Sequence, residues 1–169
     1  MKLFNSSKRS EITSSNVLFL IALKQIDTIE TDYQKLSEKG RCEALIFISI
    51  FIYNKALEDE DIKNDLLIDE FLLIIAQKVK NLMAFKSIGY VKDFVNERFR
   101  FYLSEYEKNC NETLYTPMFI YNAIYLNPFA KKPQDIKTFN INPVELMEFY
   151  LVLRKVVYDT QTHSVYNLR

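Results

Sequence analysis

Ala44-Leu45-Ile46-Phe47-Ile48-Ser49-Ile50-Phe51-Ile52-Tyr53 is the stretch on which the fold class turns. Its β-branched residues at 46, 48, 50 and 52 suit a buried strand. An apolar run of this kind equally suits a helix with neighbours on several sides. The flanks decide between them. Glu43 on one side and Lys55-Ala56-Leu57 on the other extend the helical pattern, which predicts a helix over about residues 41–57, centrally placed. The run falls far short of the ~20 apolar residues a bilayer-spanning helix needs, so it reads as a core element.

Upstream, Phe19, Ala22, Ile26, Ile29, Tyr33 and Leu36 recur at alternating spacings of three and four, which sets them on one face of a helix. Gly40 suits the C′ position of that helix, with Lys39 near the negative end of its dipole. A single bent helix running through Gly40 is the alternative. Before it, Met1 to Ser15 is polar and Ser-rich and is expected to be a loose arm. Val17 to Leu23 follows Lys2, Lys8 and Arg9 but makes a poor signal peptide: Glu11 interrupts the basic region, and Lys24-Gln25-Ile26-Asp27 offers no small-residue cleavage site.

Downstream, Glu58-Asp59-Glu60-Asp61 is expected to open a third helix, in which Ile68, Leu72, Ile75, Val79 and Leu82 share a face beside Phe71 and Ile74. That helix should end near Ser87-Ile88-Gly89, with Gly89 at C′. Val91, Val95, Phe99, Tyr102 and Tyr106 then mark a fourth helix reaching about Asn109. Thr116-Pro117 starts a short fifth helix, which Asn127-Pro128 stops after Leu126. Phe129 to Ile141 reads as a basic loop carrying Lys131, Lys132, Pro133 and Lys137. Asn142 at Ncap, Pro143 at N1 and Glu145 at N3 open the last helix, with Leu146, Phe149, Tyr150, Leu153 and Val157 along its stripe. From Asp159 the chain is expected to be tail, residues 160–169 in particular.

Composition agrees with helices. Two Gly and four Pro in 169 residues leave few tight turns, which strand-rich folds need in number. The prediction is an all-α fold: residues 1–169 as a single-domain, bundle-like array of about six helices, without a repeat or an internal linker. Thirteen Phe and eleven Tyr, with no Trp, make the core or its rim aromatic.

Charge and motif content bear on function mostly by exclusion. Lys plus Arg equals Asp plus Glu at 22 each, so no global field attracts nucleic acid or an anionic membrane. Cys42 and Cys110 lie too far apart in sequence for a paired zinc site and read as reduced structural thiols. His163 is the only histidine, in the expected tail, which removes Ser-His-Asp, Cys-His and Glu-x-x-His di-iron devices. Arg154 and His163 are also too far apart for the nucleases that set an Arg and a His one turn apart. No phosphate-binding glycine loop is present.

The acidic run of Glu58, Asp59, Glu60, Asp61, Asp65, Asp69 and Glu70 could bind a divalent cation or a basic partner. It also suits the positive end and solvated face of a helix. Glu58-x-x-Asp61 and Glu145-x-x-Glu148 each place two carboxylates on one helix face, the arrangement by which all-α magnesium-dependent nucleotide pyrophosphatases hold metal. Here the pairs run in the opposite chain order, and Glu145 has a capping role. Arg98 and Arg100 among Phe99, Phe101 and Tyr102 could serve single-stranded nucleic acid. Nearby Asp93, Glu97 and Glu105 instead favour ion pairing between turns or helices. Lys131, Lys132 and Lys137 with Arg154 and Lys155 form the better anion-facing set.

The expected function is therefore a non-enzymatic, cytoplasmic interaction or assembly module, with no catalytic, cofactor-binding or metal residues assigned. It would act through an aromatic helix face on a second copy or another protein, with neither nucleic acid nor membrane as partner. The alternative is a helical small-ligand binder or a metal-dependent hydrolase built on carboxylates.

Overall fold

The computed structural model describes residues 15–58, 65–83, 87–109, 115–130 and 141–162. Most of these residues are helical, and no strand occurs among them. In chain order they form α1 (Ser15–Asp32), α2 (Glu38–Glu58), α3 (Asp65–Met83), α4 (Ile88–Asn109), α5 (Tyr115–Tyr121) with a π-turn at Asn122–Leu126 continuing it, and α6 (Pro143–Thr162). The all-α array of six helices matches the reading from sequence.

The deciding stretch is helical and central. Every side chain from Cys42 to Ile52 is buried, and α2 packs against α1, α3, α4, the π-turn and α6. A helix surrounded in this way has no polar face to present, so no amphipathic stripe is needed along its middle. The other helices bury faces close to those their spacing predicts; in α6 the set shifts, with Val152 and Val156 buried and the expected Tyr150 and Val157 half-buried. Ala22, Ile26 and Ile29 of α1, Phe71, Ile75 and Val79 of α3, Val91, Val95 and Tyr102 of α4, and Phe149, Leu153 and Val156 of α6 join one hydrophobic cluster with α2.

Both glycines are placed otherwise than their C′ reading. Gly40 lies in the first turn of α2 and Gly89 in the first turn of α4, each following a serine cap. Gly40 N–H donates to Ser37 Oγ at 3.1 Å, and Gly89 N–H donates to Ser87 Oγ at 3.2 Å. The serines satisfy amide hydrogens that a helix start leaves open, so the decisive residue in each segment is the serine. The bent-helix alternative is likewise replaced. α1 stops at Asp32, and Tyr33 and Leu36 pack half-buried against the core from the link. Glu30 holds that link by accepting from Leu36 N–H at 3.1 Å, and its carboxylate also lies 3.4 Å from Arg41.

The remaining differences are shifts of boundary. α3 begins at Asp65, and Glu58 ends α2. α5 begins at Tyr115, which puts Thr116 and Pro117 inside its first turn; proline is tolerated there because early helix amides have no intrahelical acceptor. α6 continues through Thr162, beyond the expected start of the tail, with Thr160 buried and its hydroxyl bonded to the Val156 carbonyl at 2.7 Å. Its start is as predicted: Val144 N–H donates to Asn142 Oδ1 at 2.9 Å. Residues 1–14, Asp59–Asp61, Cys110, Lys131, Lys132, Pro133, Lys137 and His163 lie outside the described residues.

Candidate functional site

Three groupings of polar chemistry and one apolar surface stand out. The first is a buried charged node between α2 and α4. Arg98 Nη1 lies 2.6 Å from Glu43 Oε1, both side chains being essentially inaccessible. Tyr102 OH donates to Glu43 Oε2, Phe129 N–H donates to Glu43 Oε1 at 2.9 Å, and Arg98 Nη2 donates to the Ala130 carbonyl. The guanidinium also sits over the rings of Phe94 and Phe129, at 4.4 and 5.7 Å. Burial raises the Glu43 carboxyl above its usual range, and Arg98, Tyr102 and the Phe129 amide oppose that rise. The same burial, reinforced by Glu43, raises the Tyr102 hydroxyl.

This node is a clasp. It ties the segment after the π-turn to the two central helices, and it holds Phe129 at a φ of 61°, which a bulky residue adopts only when its surroundings require it. With each partner turned inward, the node offers no face to a substrate. Arg98, considered above for a nucleic-acid surface, is an internal ion-pair partner; the interhelix pairing expected of this helix occurs, with Glu43 as its partner. Arg100 is exposed.

The second grouping is aromatic. Tyr33, Tyr121, Tyr125 and Phe149 meet where the link after α1, the π-turn and α6 converge, with ring centroids 5.1 to 6.2 Å apart, mostly edge to face. Tyr125 OH donates to the Gln34 carbonyl at 2.9 Å, and Tyr121 OH reaches Glu145 Oε2 at 3.4 Å. Burial raises the Tyr33 and Tyr125 hydroxyls, and Tyr121 reinforces both shifts. Neutral phenols of this kind serve as hydrogen-bond donors. A second aromatic chain runs from Phe51 through Phe47, Tyr102 and Phe119 to Tyr115 inside the bundle. The aromatic excess is thus spent largely on the core. Among the described residues, only Tyr90 and Tyr158 count as strongly exposed large aromatics, so no broad aromatic patch forms there.

The third grouping is a cleft of about 230 Å³ between α3 and α4, lined by Asp69, Leu72, Leu73, Lys92 and Asn96. It is below the roughly 300–1,000 Å³ of small-molecule sites. Among the described residues, no three His, Cys, Asp or Glu side chains converge as a metal site. Glu145 and Glu148 are exposed at the start of α6, and Asp69 and Glu70 are exposed on α3. Whether Glu58 and Asp61 approach the α6 pair lies outside the described residues.

The apolar surface belongs to α6. Its inner face carries Leu146, Phe149, Val152, Leu153 and Val156 into the core. On the opposite face, Val144, Met147, Leu151 and Tyr158 are 65, 48, 61 and 63% exposed. These are four of the seven strongly exposed large apolar side chains among the described residues, and they follow the three-and-four spacing of one helical stripe. Glu148 and Lys155 lie seven residues apart along one flank, with Lys155 Nζ 2.6 Å from Asp32 Oδ2. The stripe is legible in the sequence, but the inner face competes for the same helix, and only packing shows which apolar set is covered.

No described helix is long and apolar enough to cross a membrane. Compared with known proteins, the chain matches no family model, no curated protein and no solved structure.

Proposed function

We propose that this protein is a non-enzymatic interaction module that works through the outward face of α6. The observation that carries this reading is the double apolar character of that helix. A helix anchored on one side of a core needs apolar residues on that side alone, and exposed apolar residues grouped on the other mark a binding face. Here Val144, Met147 and Leu151 are neighbours, and exposed Arg154 and Lys155 stand between them and Tyr158. The carrier differs from the aromatic face expected from composition: it is a Val, Met, Leu and Tyr stripe, a residue set suited to the core of an interface. The closed clasp at Glu43 and Arg98 and the small α3–α4 cleft give little support to a catalytic alternative. The reading also assigns the protein to the cytoplasm, with the free, buried thiol of Cys42 in support.

The test is a photo-crosslinking residue placed at position 151 in the full chain, in the cells that make the protein, with position 97 on α4 as the exposed control. A discrete adduct at 151 and none at 97 is the expected result. Absence of any adduct at 151 overturns the proposal.

A further inference from the structure

The stripe on α6 has a symmetry of its own. On a helix, Leu151 is the midpoint between Val144 and Tyr158, and Glu148 and Lys155 lie almost equally far on either side of it along one flank. Rotating a second α6 end for end about an axis through Leu151 sets Leu151 against its own counterpart and Val144 against Tyr158 of the second copy. A two-fold axis of this kind brings like flank to like flank. Glu148 of each copy therefore faces Lys155 of the other, twice over. A parallel two-fold would bring unlike flanks together instead, so Glu148 and Lys155 of one copy would meet neither residue of the other.

From this self-complementarity we infer that the occupant of the outer face of α6 is a second copy of this chain, docked antiparallel across a two-fold axis near Leu151. The inference rests on the interaction reading above and names its partner. The size of the surface sets the strength. From Val144 to Tyr158 the stripe is about 21 Å long and about one helix, ~10 Å, wide. That is less than the ~800 Å² per partner of a standard stable interface. The pairing is accordingly weak and concentration-dependent. Asp32 competes for Lys155 within each chain, at 2.6 Å, so its removal frees the lysine for the second copy.

Sedimentation of the purified full chain over a hundredfold concentration range tests the pairing, with far-ultraviolet circular dichroism as the check on folding. The wild type is expected to rise from 20.1 kDa toward twice that mass. Leu151→Glu should remain monomeric. Glu148→Lys and Lys155→Glu should each weaken association by about tenfold, because the two-fold axis repeats every charge reversal. Mixing these two variants restores both attractions, and the mixture should regain wild-type association as a heterodimer. Asp32→Asn should associate at least as well as wild type.

A monomeric wild type, a folded Leu151→Glu that still dimerises, or a mixture that fails to recover would each overturn the antiparallel pairing. If the wild type is monomeric while position 151 yields an adduct of some mass other than twice the chain, self-pairing fails and the interaction reading stands. If position 151 yields no adduct, both fail.

Discussion

Glu43 and Arg98 meet from positions 55 residues apart, so neither residue discloses the other in the sequence. A buried pair of this kind loses hydration on both sides, and its mutual attraction roughly offsets that loss. Removing one partner leaves an uncompensated polar or charged group in the core. Glu43→Leu or Arg98→Met alone should therefore lower unfolding free energy by about 3–5 kcal/mol, whereas the double variant carrying both substitutions should cost far less than the sum. Urea titration of the wild type, the two single variants and the double variant reads this coupling directly. Cys42 makes a second residue-scale case. Burial, reinforced by Glu43, pushes its thiol up to about 12. Folded chains then hold this proton more tightly than unfolded ones. The stability so contributed is complete below the unfolded thiol's value of about 8.5 and declines as pH rises from there toward 12. Urea midpoints should fall across that window, and Cys42→Ala should flatten the early part of the fall. Tyr33 and Tyr125, also raised, would sustain it at higher pH.

At the scale of elements, the two glycines separate local propensity from packing. Each occupies the first turn of a helix behind a serine cap, without a positive φ. A methyl group added at Gly40 would overlap the main-chain oxygen of Ile124, because the π-turn lies directly against the start of α2. The same methyl at Gly89 meets only Ser87 Oγ, at ordinary contact distance. Gly89→Ala should thus stabilise by up to about 1 kcal/mol through helix propensity. Gly40→Ala should destabilise by about 1–3 kcal/mol despite the same propensity gain, as overpacking against backbone does. Thermal melts of the two variants should move in opposite directions. Helix positions are legible because three-and-four spacing is a local signal. The starts of α2 and α4 are harder to read, because Gly suggests a helix end while the Ser that precedes it in both segments is what caps the next helix. The cap of α6 is plain in the sequence, since Asn142, Pro143 and Glu145 agree with one another at one site.

Across the whole molecule, α2 is enclosed by its neighbours, and α6 faces inward and outward with different apolar sets. Leu151 and Leu153 stand two residues apart on opposite sides of that division, 61% and 4% exposed. Leu153→Ala should cost about 2–5 kcal/mol, the usual loss for a buried leucine, with little direct effect on association. Leu151→Ser should leave stability within about 0.5 kcal/mol and reduce association instead. Denaturant unfolding, done alongside sedimentation, separates the two effects. A reversed pattern would mean that the inner and outer faces of α6 had been exchanged.

By itself the sequence determined the helical class, the central place of residues 44–52 and the inner stripes of α1, α3, α4 and α6, because burial along a helix is written in local spacing. It also limited the chemistry, since one histidine and scattered cysteines supply few catalytic devices. Tertiary structure alone decided that Arg98 turns inward to Glu43, that Gly40 makes room for Ile124, and that most of the described aromatic side chains fill the core. Each of these depends on contacts between residues distant in sequence, whose energies no local pattern encodes. The outer stripe of α6 lies between the two cases: its residues are readable in order, but only packing shows which apolar side chains of that helix stay exposed.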